Sequence, residues 1–211
     1  YMALFELTTD EVFHEQTDII LHLFIRHFWD ADAGILREYF SDNWGQPQSD
    51  EHRSIVEPGH MAEWVWLLRK YQRLTDADVD SGCEMIFSRC RELGLDEKTG
   101  FLWDRVTPDG TVSKKTRRLW PQTELLKAAI AQFASGNEDL LEFCADCLTS
   151  IHEQYLTGRV AGGWYDQFDA EGQSTKSLMP ASSHYHLVLA LHEARQSESL
   201  MTYMERHHSR A

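Results

Sequence analysis

Positive charge is scarce in this chain of 211 residues: 20 lysines and arginines face 34 aspartates and glutamates, a formal net charge of −14. Such a surface repels a polyanion, and the basic residues cluster no further than Lys114-Lys115 and Arg117-Arg118, so nucleic acid is not an expected partner. Long apolar runs are missing as well. No stretch reaches the ~18 apolar residues of a membrane span, and no basic segment followed by an apolar one stands at the start. Cysteine is sparse: 4 residues lie scattered among helical patterns, without the spacing of a small secreted framework, which points to a reduced, cytoplasmic protein. The length suits one domain, residues 1–211, with a sizeable core. The chain opens Tyr1-Met2-Ala3 inside what reads as a helix already under way, so the expectation is a domain lacking its amino-terminal half.

Proline is also rare, 5 in all, and three of them open apolar, helix-like runs: Pro58, Pro121 and Pro180. Each follows a turn of glycine and large apolar residues, at Gly34-Ile35-Leu36, Gly100-Phe101-Leu102-Trp103 and Gly163-Trp164-Tyr165. The glycines lie 66 and 63 residues apart and the prolines 63 and 59, a repeat of one supersecondary unit.

Two kinds of helix alternate within that repeat. Residues 79–93 carry Val79, Cys83, Ile86, Phe87, Cys90 and Leu93 as a single stripe, and residues 140–155 carry Leu140, Leu141, Cys144, Cys147, Leu148, Ile151 and Tyr155. These are one-sided outer helices, and residues 10–28 match them through Val12, Phe13, Ile19, Ile20, Leu23, Phe24 and Phe28. The runs after the prolines (61–74, Leu125 to Phe133, Tyr185 to Leu191) are apolar nearly all round, as enclosed inner helices are. Proline suits their first turn, where the missing N–H costs nothing. Two β-hairpins are expected in the connections, 101–112 with a turn at Thr107 to Gly110, and 163–173 with a turn at Asp169 to Gly172. Inner helices ringed by outer ones describe an all-α, α/α toroid. About seven helices are visible where a closed ring of six hairpins needs twelve.

The repeat puts Pro58-Gly59-His60-Met61-Ala62-Glu63, Trp120-Pro121-Gln122-Thr123-Glu124 and Pro180-Ala181-Ser182-Ser183-His184-Tyr185-His186 at equivalent helix mouths, which would open on one pocket. At a helix amino-terminus the dipole disfavours imidazolium, so His60 is expected neutral and able to accept a proton, with Glu63 holding its ring or binding a hydroxyl. His184 and His186 point about 200° apart on a helix, so only one can face the pocket, and spacing does not choose between them. His60, Glu63 and His186 could form a two-His-one-carboxylate metal site, but without clear supporting carboxylates the expectation is no metal and no cofactor. Cys144-x-x-Cys147 reads as small core residues on an apolar stripe. Trp64, Trp103, Trp120 and Trp164 offer faces for stacking sugar rings, whereas Trp66 is assigned to the core. Arg53, Arg118, Gln122 and Glu124 supply partners for hydroxyls.

Glu57-Pro58-Gly59-His60-Met61-Ala62-Glu63-Trp64-Val65-Trp66-Leu67-Leu68 resembles the PGHxxEWxWLL signature of the N-acylglucosamine 2-epimerase superfamily. Arg118-Leu119-Trp120-Pro121-Gln122-Thr123-Glu124 resembles its LWPQTE segment. Gly163-Trp164-Tyr165-Asp166-Gln167-Phe168-Asp169 and Met179-Pro180-Ala181-Ser182-Ser183-His184-Tyr185-His186-Leu187 resemble its closing GxWxDxxD…MPASxxYHL segment. The resemblance implies an (α/α)6 barrel, in agreement with the repeat, and the PASxxYH ending is similar to the aldose–ketose isomerases acting on mannose and related sugars. It implies His60 and His186 as the catalytic pair with Glu63 beside them. Arg53, Trp64, Trp120, Gln122, Glu124 and, in second rank, His184 are then the substrate-binding candidates. The expected partner is a small monosaccharide, with a homodimer as the assembly to test for. The expected chemistry is metal-free isomerisation through an enediolate, one imidazole moving the C2 proton and the other serving ring opening or the oxyanion. The alternatives are a sugar 2-epimerase, an inverting glycoside hydrolase using Glu63 and Glu124, and a non-catalytic sugar- or protein-binding half-toroid.

Overall fold

A computed structural model describes residues 1–158 and 160–208. The chain starts with α1 (Met2–Thr8) and α2 (Glu11–Leu23), the latter capped by the Asp10 carboxylate accepting from the Val12 N–H and continuing as a π-helical turn over Phe24–Phe28. After β1 (Trp29–Asp30), β2 (Ile35–Leu36) and the single turn α3 (Asp50–Arg53) come two antiparallel long helices, α4 (Pro58–Thr75) and α5 (Asp80–Gly94). Five short strands follow: β3 (Leu95–Asp96), β4 (Phe101–Leu102), β5 (Arg105–Val106), β6 (Val112–Lys114) and β7 (Thr116–Arg118). The rest is α6 (Leu119–Ala134), α7 (Leu140–Tyr155), β8 (Gln167–Asp169), α8 (Ala181–Gln196) and α9 (Glu198–His208).

The inner helices α4, α6 and α8 pack side by side, with α6 in the middle, and α5, α7 and α9 lie outside them. This is an arc of an (α/α)6 toroid. The middle helix is buried at Leu119 and at every residue from Pro121 to Gln132, as a helix with neighbours on all sides must be. The outer helices α5 and α7 bury most of the stripes read from the sequence, including all four thiols, while Val79, Leu141 and Leu148 are half-buried. Burial pushes the Cys83 thiol up to about 11 and Cys90 and Cys144 up to about 12, so they behave as inert apolar filler.

The two ends of the arc depart from expectation. Tyr185, Val188, Leu189 and Leu191 of α8 are exposed, so this inner helix is not enclosed. Along α2, Val12, Ile19 and Ile20 are exposed and Phe24 is the buried member of the expected stripe. Among the described residues α8 packs on α6 and α9 and α2 packs on α1, whereas α6 lies between α4 and α8 with α7 behind it. Apolar periodicity shows what a helix could bury, and the neighbours decide what it does bury.

The repeat has a local cause. Gly34 and Gly100 adopt φ of 64° and 73°, and each N–H donates to the carbonyl four residues back, Asp30 or Asp96, at 2.8 Å. A left-handed residue closes each turn, which glycine does without a Cβ penalty. The turns join β1 to β2 and β3 to β4 as matching antiparallel pairs. The hairpins differ from the sequence expectation in their partners. Phe101 and Leu102 pair back with Leu95 and Asp96, so the 101–112 hairpin shrinks to β5 with β6 around Thr107 to Gly110. In the third unit β8 pairs with β7, and the Asp169 to Gly172 turn is closed by a bridge from Phe168 to Ser174 and by the Asp169 N–H donating to the Gln173 carbonyl at 3.0 Å. The β7–β8 ladder ties the entry of α6 to the segment before α8, bringing their two mouths together.

Candidate active site

The amino-terminal turns of α4, α6 and α8 and the β7–β8 ladder enclose a cavity of about 300 Å³. His60 and Glu63 line it from α4, Arg118 from the end of β7, Trp120 from the first turn of α6, Asp166 from the segment before β8, and Ser182, Ser183, Tyr185 and His186 from α8. Close helix packing makes this possible. A Cβ on Gly59 would come within 2.8 Å of the Pro121 Cβ and the Trp120 ring, so only glycine lets the α4 mouth meet the α6 mouth. The Trp120 indole then lies between two imidazoles, with ring centroids 4.8 Å from His60 and 5.3 Å from His186.

Each imidazole has a carboxylate on Nδ1. For His60 it is Glu38, at 2.8 Å through Oε2, and Glu38 Oε1 also accepts from the Glu57 N–H at 3.2 Å. For His186 it is Glu124, at 2.5 Å through Oε1. A carboxylate accepts, so Nδ1 carries the hydrogen in both pairs and Nε2 remains for proton exchange. Glu124 is fully buried. Its Oε2 lacks a hydrogen bond of good geometry and is compensated by the Lys127 ammonium 2.8 Å away.

The His60 site runs against the neutral imidazole expected from its place at a helix mouth. Burial is the largest single influence and pulls its pKa down, but the hydrogen bond and charge of Glu38, with the charges of Glu57 and Glu63, outweigh it, leaving the pKa above the ordinary value. Nearby full charges exceed the partial charge of a helix end. Burial raises the Glu63 carboxyl, and the nearby Glu124 charge adds to this. Glu63 does not hold the His60 ring, because Glu38 does.

Among the other candidates the cavity takes in Trp120 and leaves several outside. Glu124 stands behind His186 rather than in the cavity. Gln122 is buried in structural work: its amide donates to the Leu102 and Arg118 carbonyls and its Oε1 accepts from the Leu102 N–H. Arg53 donates to the Pro47 carbonyl and pairs with Asp50 on α3. Trp64 stacks on Phe24 with centroids 4.1 Å apart and lines neighbouring hollows. His184 faces away and stacks on Trp164 at 5.7 Å, which settles the choice of imidazole on α8 in favour of His186 as the one lining the cavity.

Sequence reasoning assigned no role to Glu38, Asp166, Ser183 or Lys127. Asp166 accepts from Ser183 Oγ at 2.6 Å while its carbonyl accepts from the Leu119 N–H, pinning α8 to α6. Its place inside the Gly163-Trp164-Tyr165-Asp166 motif was a usable signal. A lysine in the apolar run of α6 was another. Glu38 had none, because only the third dimension brings it to His60.

Among the described residues, Glu63, Glu124 and His186 place potential metal-ligating atoms within 4.8 Å of one another. Much of that donor set is claimed internally. His186 Nδ1 is bonded to Glu124, and a cation beside Glu124 would face the Lys127 ammonium.

This fold and paired-imidazole cavity define a class, and comparison names the family. The profile of the N-acylglucosamine 2-epimerase (GlcNAc 2-epimerase) family matches residues 1–190, and the chain belongs to that family. A protein of Rhizobium meliloti (strain 1021) named mannose-6-phosphate isomerase is 35% identical over 92% of this chain and 53% of its own length. The chain therefore spans about half the length of this curated relative. A crystal structure of D-mannose isomerase superposes with a TM-score of 0.77 at 20% identity, covering 93% of this chain and 53% of that one. A cellobiose 2-epimerase from Bacillus thermoamylovorans B4167 superposes at 0.74 and 19% identity, covering 91% and 50%. At these identities the two structures speak to the fold. No helix among the described residues is long and apolar enough to cross a membrane.

Proposed function

We propose that the protein to which this chain belongs interconverts an aldose and a ketose of the mannose–fructose type by proton transfer between two histidines and an open-chain sugar. The observation that carries this reading is a hexose-sized cavity with His60 and His186 on its wall, each with Nδ1 fixed by a carboxylate. Isomerisation requires a base to take the proton from C2, an acid near the developing oxyanion, and delivery of a proton to C1. The raised pKa of His60 suits the acid, which opens the ring and protonates the oxyanion. His186 is then the base, which takes the C2 proton and returns a proton to C1. Trp120 offers the apolar face against which a sugar ring stacks, and Asp166, Ser182 and Arg118 surround it with hydroxyl partners.

The cavity favours an uncharged sugar. Glu63 and Asp166 line it, with Glu38 and Glu124 directly behind the imidazoles. Its lining cation, Arg118, is already paired with Asp104 at 3.0 Å and Glu57 at 3.1 Å. A sugar phosphate would have to break those pairs.

The 2-epimerase reading stays beside this one because two imidazoles from separate helices also provide what reprotonation of C2 needs. Inverting hydrolysis fits poorly. It needs carboxylates about 6.5–9.5 Å apart with room for water, whereas Glu63 and Glu124 offer oxygens within 4.8 Å and Glu124 is sealed from the cavity. The deciding experiment incubates the full-length protein with mannose, mannose 6-phosphate and N-acetylglucosamine in deuterated water. Fructose formed from free mannose, with or without deuterium at C1, supports isomerisation. A labelled C2 epimer without ketose would replace it with the epimerase reading, and no conversion or label in any of the sugars would overturn both.

A further inference from the structure

Lys127 is the buried charge that the chemistry above leaves unused. Its side chain is 1% exposed, its Nζ lies 3.9 Å above the Trp66 ring, and it sits 2.8 Å from Glu124 Oε2. A lysine this deep is costly unless it is paired, and an apolar residue would fill its place in α6 at lower cost. The groups around the Glu124–His186 pair are Lys127 from α6, His60 and Glu63 from α4, and Tyr185 from α8. Of these, Lys127 is the one obligate cation.

We propose that Lys127 is a positioning residue that keeps the lone pair of His186 free by acting through Glu124. The ammonium offsets the carboxylate charge at Oε2, while Oε1 accepts from the His186 Nδ1–H, which leaves Nε2 as a free lone pair. Without the cation, the uncompensated charge of a sealed carboxylate close to Glu63 draws a second proton from solvent onto the imidazole, the stronger base of the pair. That proton occupies Nε2 while Nδ1–H stays bonded to Glu124. The ring is still bonded and still in place, but the atom facing substrate can no longer accept a proton. Lys127 thus decides whether His186 can act as a base, without touching the sugar.

The inference rests on the proposed base role of His186 only for its catalytic consequence, because the protonation of the ring can be read without turnover. Histidine labelled with ¹⁵N gives distinct Nδ1 and Nε2 shifts for protonated and unprotonated ring nitrogens, and His186→Gln assigns the signals. In the unmodified protein, above the range where imidazole titrates, His186 is expected to show protonated Nδ1 and unprotonated Nε2. Lys127→Met is expected to carry a hydrogen on both ring nitrogens at the same pH and to lower kcat by about 10²-fold or more with KM little changed. Lys127→Arg, which restores the charge, should return the original pattern. A hydrogen on Nε2 in the unmodified protein would overturn the proposal even if Lys127→Met fails to fold. So would a folded Lys127→Met protein that keeps the original pattern. A doubly protonated ring in Lys127→Met, in a protein that turns over no sugar, would sustain the role of Lys127 and remove the isomerase reading.

Discussion

His60 with Glu38 and His186 with Glu124 are the same device built in two different surroundings. In the first, the carboxylate arrives from the β2 connection, the imidazole side chain is 38% exposed, and Glu57 and Glu63 add negative charge nearby. In the second, the carboxylate is sealed inside α6 and backed by a buried ammonium. Uncompensated negative charge favours a protonated imidazole, whereas a carboxylate already neutralised by lysine orients the ring without adding net charge around it. One geometric motif can thus furnish a proton donor and a proton acceptor within a single cavity, and the difference lies behind the histidines rather than in them.

The largest expected effect breaks both halves. His60→Gln and His186→Gln should each lower turnover of mannose by about 10²–10⁴-fold in the full-length protein, read from ketose formation. If either variant keeps full activity, that imidazole is not moving protons. Next come the two carboxylates, which separate the surroundings. Glu124→Gln leaves the Lys127 charge buried and unpaired and should cost about 3–5 kcal/mol in denaturant unfolding. Glu38→Gln affects a half-open pair and should cost about 1 kcal/mol. Similar costs for the two would mean that the surroundings do not differ in the way described.

Gly59→Ala strikes the indole shared by both sides. A Cβ meeting Trp120 and Pro121 at 2.8 Å forces the helix mouths apart, for a loss of about 1–3 kcal/mol and weaker sugar binding. The smallest effects are in the pH dependence. Because the folded His60 pKa is raised, its contribution to stability is complete below about 6.5 and is lost as pH rises through the folded value. Thermal unfolding of Glu38→Gln should show a shallower decline across that window. Glu63 works in the opposite sense on stability. Its folded pKa is raised chiefly by burial, so the unfolded chain ionises first and the fold loses stability as pH climbs above the ordinary carboxylate range. Glu63→Gln should therefore unfold at a slightly higher temperature than the parent at neutral pH. A lower temperature would show that Glu63 is held by a favourable partner instead.

Much of the arc is legible in the sequence. The proline and glycine repeat, the stripes of α5 and α7 and the continuous apolar character of α6 are local properties, written at the period of a helix or a turn. The convergence of His60, Trp120 and His186 followed from equivalent positions in that repeat and from the motif resemblance. The misreadings concern pairing across long separations. Gln122 and Glu124 looked like sugar ligands because both are polar at a helix mouth, and sequence does not say that α6 is the helix hemmed in on both sides. Glu38, 22 residues before His60, carries no pattern at all.

The sequence alone therefore determined the helices, their turns, the order of inner and outer elements and which residues ride at each mouth, because these depend on neighbours within a few positions along the chain. Tertiary structure alone decided which carboxylate meets which imidazole, which faces are covered, and where Lys127 is buried. Those outcomes depend on which elements lie side by side, and a burial cost or a charge interaction has no value until the surrounding groups are in place.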